Sequence, residues 1–419
     1  MPHLPAPEIL WYDARITTAV AVFAATYVFI AVGKIPGYHL DRAGAALLGA
    51  SLMVWLGVLS IEEAYQAIDF NTIALLLGMM IVVANLRLSG FFQLANEWIV
   101  RWARHPLALL ATIVVVSGVL SAFLVNDTIC IVMTPLVLEL VTRLKRNPIP
   151  YLLAIAMASN IGSTATITGN PQNMIIGSLS HIPYASFAAA LSPVAAAGLV
   201  LTAGMIALAY RREFFGGIPF PPNDDRSVRY HSPIVTKSLI VAALMVILFF
   251  AGQPVSKVAI LGGAFMLFTR RIKAHKIYRE IDWPMLVMFS GLFIVVEGFE
   301  RAVLTPGLIA AFAAGPGRHL DAVPVLAGAT AVLSNIVSNV PAVLVLKPFV
   351  AKLADPQRAW LVVAMASTLA GNFTLVGSVA NLIVAQRAQG AGVTISFWTY
   401  FKVGAPLTLL TLILGVVLL

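Results

Sequence analysis

Cysteine is nearly absent. One thiol, Cys130, stands in 419 residues. That excludes a disulfide framework, a structural zinc site and a tris-thiolate metalloid site within one chain. Charge is scarce as well: Asp, Glu, Lys and Arg make up 11% of the chain against 60% hydrophobic residues. Soluble domains carry about 25% charge, so the composition describes a polytopic protein of the lipid bilayer. The net charge of +9 does not point to nucleic acid, because the basic residues stand in short loops between apolar runs. No metal-ligand cluster, nucleophile motif or phosphate loop is present, which argues against an enzyme, a bound cofactor and a nucleotide site. ATP drive would need a separate ATPase subunit. The first apolar run, Ile16 to Val32, follows little positive charge and lacks a cleavage signature, so no removable signal peptide is expected.

Against this apolar background one stretch is polar: Ala158-Ser-Asn-Ile-Gly-Ser-Thr-Ala-Thr-Ile-Thr-Gly-Asn-Pro-Gln-Asn173. Gly162, Gly169 and Pro171 interrupt a helical hydrogen-bond ladder, and the freed backbone groups need partners from protein, water, ions or substrate. A broken helix at the bilayer midplane marks a transporter site. The stretch also recurs. Ala156, Met157, Ala158, Ser159, Thr166, Gly169 and Asn173 return without a gap as Ala364, Met365, Ala366, Ser367, Thr374, Gly377 and Asn381. Asp69 and Gly78 match Asp282 and Gly291; Asn126 and Pro135 match Asn339 and Pro348. Matches kept in order across each half define an internal repeat.

The pattern predicts spans near 16–33, 43–60 and 71–88, then an amphipathic surface segment at 91–104 with Trp98 and Trp102 at the interface. The apolar stretch 107–144 is about twice as long as one span needs and is expected to fold as a re-entrant hairpin with its tip at 126–128. A broken helix at 150–179 and a span at 188–210 complete a first repeat, 1–210. A cytoplasmic linker, 211–235, precedes a second repeat, 236–419. There, spans near 236–251, 256–269 and 284–299 lead to a hairpin at 322–354 with its tip at 338–341, a broken helix at 358–388 and a last span at 396–418. With ten full crossings, one side collects roughly 20 of the basic residues, Arg143, Lys145, Arg146, Arg211 and Arg212 among them, and that side is assigned to the cytoplasm. The two hairpins then enter from opposite sides. The expected fold is an all-α polytopic membrane protein with an inverted repeat, in the cell (inner) membrane.

Candidate ligands gather where hairpin tips and breaks meet. In the first repeat they are Asn126, Asp127 and Thr128 at the tip, with Ser159, Asn160, Gly162, Thr164, Gly169 and Asn173 in the break. In the second they are Ser338 and Asn339 at the tip, with Ser367, Thr368, Asn372, Gly377 and Asn381 in the break. Half-helix N-termini there favour anions or oxygen-rich solutes, and freed carbonyls favour sodium. Sodium, if it couples, is placed at Asn126, Asp127 and Asn160. Asp127 has Val340 as its counterpart in the second repeat. A lone acid at membrane depth reads as functional, a proton carrier or a sodium ligand; the alternative is a helix N-cap. No Lys or Arg occurs in the four loops, which suits a neutral polyol-like solute, a weak anion or an anion bound with cations. Glu297 reads as an interfacial acid, Cys130 as core packing, and Asp69 and Asp282 as helix-start caps.

At these residues the chain resembles the ion transporter superfamily, which includes arsenite-efflux permeases, divalent-anion/sodium symporters, citrate transporters and sodium/proton antiporters. Phe123-Leu-Val-Asn-Asp-Thr-Ile-Cys-Ile-Val-Met-Thr-Pro-Leu-Val137 is similar to that group's first hairpin, and Val337-Ser-Asn-Val-Pro341 to the second hairpin of arsenite permeases. The run Ile167-Thr-Gly-Asn-Pro-Gln-Asn173 looks more like the anion symporters, and arsenite pumps carry an acid where this chain has Ser163. The resemblance implies an elevator mechanism on a dimeric scaffold. By position it places one half-site at Asn126, Asp127, Thr128, Asn160, Gly162 and Asn173, and the other at Ser338, Asn339, Ser367, Thr368 and Asn381. The expected function is secondary active transport, first as proton-coupled efflux of arsenite or antimonite. The alternatives are a sodium-coupled importer of a dicarboxylate, citrate or sulfate, and a sodium/proton antiporter.

Overall fold

The computed structural model describes residues 7–32, 40–102, 105–216, 232–269, 272–304 and 315–419. These are almost entirely helical, and no strand occurs among the described residues. The first half comprises α1 (Pro7–Val32), α2 (Arg42–Trp55), α3 (Ile61–Ala67), α4 (Phe70–Ser89), α5 (Phe91–Trp102), α6 (Pro106–Phe123), α7 (Asn126–Arg143), α8 (Pro148–Ser163), α9 (Pro171–Ser180), α10 (Tyr184–Ala209) and the short α11 (Arg211–Phe214). The second comprises α12 (Ser232–Phe250), α13 (Val255–Leu267), α14 (Ala274–Tyr278), α15 (Trp283–Val303), α16 (Val323–Val337), α17 (Asn339–Val350), α18 (Pro356–Ala370), α19 (Val379–Gly390) and α20 (Phe397–Leu418). Residues 217–231 of the expected linker lie outside the described residues. Its two ends are helical, in α11 and α12. By length and composition α4, α6, α10, α20 and most of α1 and α12 are apolar enough to cross a membrane.

Among the described residues the halves correspond at one constant offset, α2, α3, α4, α6 and α7 with α13, α14, α15, α16 and α17; nearly all the positions that match α5 lie outside the described residues. Mates include α2 with α13, α4 with α15, and the short pair α3 with α14. That short pair escaped the sequence reading, which ran one span from 43 to 60: the helix ends at Trp55, and α3 starts anew on a Ser60–Glu63 capping box. Asp69 and Asp282 open the mates α4 and α15 by accepting hydrogen bonds from backbone amides in the first turn. These mates run in opposite directions, because Arg87 at the end of α4 pairs with Glu280 just before α15 begins. The repeat is therefore inverted.

Glycine sets the pairing of the scaffold helices. α2 lies along α15 and its mate α13 along α4. A methyl on Gly78 would overlap the Ala259 carbonyl; one on its mate Gly291 would sit 2.7 Å from the Ala46 carbonyl, and Ala259 is the mate of Ala46. Bare glycine lets the backbones touch. Gly78→Ala and Gly291→Ala are each expected to destabilise by about 1–3 kcal/mol, read as a lowered thermal midpoint in detergent. Gly204→Ala in α10, where nothing lies within 4 Å of the added carbon, is the control and should not lower it.

The scaffold of α1–α4 and α12–α15 flanks a second group built from α6–α10 and α16–α20. The first hairpin turns one residue earlier than the sequence suggested, at Val125, and the second turns at Ser338, the first residue of its expected tip. Val125 (φ 44°) and its mate Ser338 (φ 77°) occupy the left-handed half of backbone space, a strain tolerated where packing fixes it. Asn126, Asp127 and Thr128 are thus the first turn of α7 rather than a loop, and Asn339 opens α17.

Candidate functional site

The two breaks are held by paired asparagines. Asn173 donates through Nδ2 to the carbonyls of Ser163 (3.1 Å) and Thr166 (2.9 Å). Asn381 donates to those of Gly371 (2.7 Å) and Thr374 (3.1 Å). Each acceptor is the repeat mate of another, so one device was used twice. These amides answer the question of where the carbonyls freed by the breaks find donors. Gly162 and Gly169 are equally structural in position: a methyl on either would overlap a backbone, that of Gly118 and of Ser163 respectively. At Gly377 an added carbon would lie 3.0 Å from the Gly371 oxygen.

Asn160 joins the halves. Its Oδ1 accepts from Asn126 Nδ2 (3.0 Å) and Ser378 Oγ (3.1 Å). Its Nδ2 donates to Asn372 Oδ1 (2.8 Å) and Asn381 Oδ1 (3.0 Å). A second seam lies at Thr368 Oγ1, which receives Asn170 Nδ2 (3.2 Å) and Gln172 Nε2 (3.1 Å). The two expected half-sites are therefore one connected network, and all these side chains are buried. Ser159 and Thr164 turn inward: Ser159 contacts Cys130 Sγ at 3.0 Å, and Thr164 Oγ1 bonds the Asn160 carbonyl at 3.3 Å. Ser367 Oγ donates to the Ala364 carbonyl. Cys130 is fully buried, as core packing requires.

A cleft opens beside this network. Asn126, Asp127, Ser338 and Asn339 from the two tips line it, with Gln172 and Ser378 from the two breaks. Its mouth lies at the starts of α2 and α15, where Arg42 and Met285 are partly exposed, and the fully buried Ile30 of α1 lines it deeper in. Asp127 is half-buried in the first turn of α7, where a helix dipole favours negative charge. It is not the N-cap: that position is Val125, and no side chain caps this helix. Among the described residues the Asp127 carboxylate has no hydrogen-bond or ion-pair partner. Thr128 does not line the cleft. Among the described residues no group of three His, Cys, Asp or Glu side chains is placed to hold a metal; sodium would rely on amide, hydroxyl and carbonyl oxygens.

Sequence reasoning missed three polar cleft residues. Gln172 and Ser378 adjoin the glycines and asparagines that did stand out. Arg42 carried no signal, since it opens a scaffold helix far along the chain from either loop. The loops indeed lack a cation; the scaffold supplies one. No carboxylate among the described residues pairs with Arg42.

Comparison with known proteins agrees with this architecture. A family model described as citrate transporter matches residues 27–370. The silicon efflux transporter LSI3 of Oryza sativa subsp. japonica is 30% identical over 96% of this chain and 97% of its own. A 46 kDa membrane protein of Mycobacterium leprae is 30% identical over 95% of this chain and 96% of its own. The crystal structure of the Alcanivorax borkumensis YdaH transporter superposes with a TM-score of 0.62 at 16% identity, covering 99% of this chain and 97% of that one, a likeness of fold. The chain therefore belongs to the citrate transporter family of the ion transporter superfamily, and is a multi-pass membrane protein that works as a secondary transporter rather than an enzyme.

Proposed function

We propose that this transporter exports arsenite or antimonite in exchange for protons, with Asp127 as the proton carrier. The observation that carries the reading is the Asp127 carboxylate, unpartnered among the described residues at a cleft whose other polar tip and break residues, Asn126, Ser338, Asn339, Gln172 and Ser378, are amides and hydroxyls. Arsenite is an uncharged trihydroxide near pH 7. Its O–H groups donate and its oxygens accept, which matches Asn, Gln and Ser. A relative named for silicon efflux fits the same chemistry, because silicic acid is also a small neutral hydroxide. In this reading the α6–α10 and α16–α20 group moves against the scaffold as an elevator and carries the cleft with it. Asp127 is protonated facing one side and deprotonated facing the other.

Arg42 favours a second reading, sodium-coupled transport of an anion. A guanidinium at the cleft mouth with no carboxylate partner among the described residues would recognise a carboxylate or sulfate. Arg42→Gln separates the two. The apparent KM for arsenite should change less than about twofold if the cargo is neutral. For an anion that Arg42 binds, KM should rise about tenfold, the loss of one charge-assisted pair. The test of the main reading is arsenite, succinate and sulfate flux into proteoliposomes under an imposed pH gradient, with and without sodium. Arsenite flux driven by protons and indifferent to sodium is expected. Sodium-dependent anion flux with no arsenite movement would replace it with the second reading.

A further inference from the structure

An ion cluster ties the second hairpin to the scaffold at the end of α15 away from the cleft mouth. Lys347 Nζ on α17 lies 3.3 Å from Glu300 Oε2 and 3.7 Å from Glu297 Oε2 on α15. The other Glu297 oxygen accepts from Arg301 Nε at 2.7 Å, and Arg301 Nη1 reaches Glu63 Oε1 on α3, also at 2.7 Å. These side chains are between 20% and 39% exposed. One such pair alone would count for little, but charges shared in a network hold their geometry better.

The repeat contains no second copy of this cluster. The mates of Lys347, Glu297, Glu300 and Arg301 are Thr134, Ala84, Arg87 and Leu88. The Thr134 hydroxyl is committed to the Cys130 carbonyl at 2.6 Å, and Arg87 is turned to Glu280. The packing is one-sided in the same sense. α15 packs on α17 and α4 on α9, whereas the mirrored pairs, α4 with α7 and α15 with α19, make at most marginal contact. In an inverted repeat the opposite state is reached when each half adopts the contacts the other half now makes. In that state the seam now closed by α17 on α15 would open, and α7 on α4 would close without any ion pair.

We propose that the Lys347–Glu297–Glu300 cluster, braced by Arg301 and Glu63, is a one-sided latch. It biases the resting protein toward the state in which the cleft opens at the α2 end, and it breaks once in every cycle. The proposal rests on the alternating-access reading and not on the identity of the cargo.

The test needs no substrate. In a Cys130→Ser background, Val379→Cys places a thiol at a cleft position that is 40% exposed. Labelling by a membrane-impermeant maleimide is measured from each side of oriented vesicles. Lys347→Gln, with Glu300→Gln as an independent second variant, should lower labelling from the side of the cleft mouth by about threefold or more and raise it from the other, as a shifted two-state population requires. Combining Lys347→Glu with Glu300→Lys should restore the original pattern. Labelling unchanged in both single variants, or increased at the cleft mouth, overturns the latch. Labelling confined to one side in every variant overturns both the latch and alternating access, while failure of arsenite transport alone leaves this result standing.

Discussion

Asp127→Asn is expected to bring proton-driven arsenite flux down to that of protein-free vesicles while sparing arsenite–arsenite exchange. Asparagine keeps the size of the side chain and loses the titratable proton. The carboxylate makes no hydrogen bond and no ion pair among the described residues, so its removal strands no partner and the fold should survive. Net transport needs the carrier to change protonation between the two sides, whereas exchange needs only that the loaded unit moves. The check is paired: uptake under a pH gradient, and counterflow of labelled arsenite without one. Loss of both with an unchanged thermal midpoint would make Asp127 a direct cargo ligand. Undiminished proton-driven flux would remove it from the coupling step.

Asn160→Ala should be the most damaging substitution within the buried network. Asn160 serves four partners: Asn126, Ser378, Asn372 and Asn381. Alanine leaves two donors and two acceptor oxygens to find new partners away from water. Each group left unsatisfied costs about 1–3 kcal/mol, and Asn381 also holds the second break. The expected result is a clearly lowered thermal midpoint together with loss of transport. Ser159→Ala, which removes a hydroxyl bonded to the Ala156 carbonyl and in contact with Cys130, should be much milder. A stable, fully active Asn160→Ala protein would show that the two halves do not depend on this junction.

The parts of the fold that broke a pattern were legible in the sequence. Gly162, Gly169 and Pro171 stood out because glycine and proline have little reason to interrupt an apolar helix, and their return as part of a second motif exposed the repeat. Asp127 stood out as an acid among apolar residues. What stayed hidden was set by tertiary contact. The bond from Asn160 to Asn372 spans 212 positions, and nothing local in either segment names the other as partner, so two half-sites were expected where one network exists. Arg42 sits in an ordinary helix start and gains meaning only where the start of α2 lies beside the tips. α3 and α14 are too short to show a period. The turn at Val125 uses a β-branched residue that rarely adopts positive φ, so the first tip was placed one residue late.

The central claim is that one shared site couples a neutral oxyacid to protons through Asp127. Its most direct measurement is proton movement itself, in vesicles holding a trapped pH indicator and given an arsenite gradient with no pH gradient and no sodium. Wild-type protein should drive protons against the arsenite flow in fixed proportion, and Asp127→Asn protein should move none. Arsenite flux that leaves the internal pH unchanged, or that appears only when sodium is added, would contradict the claim.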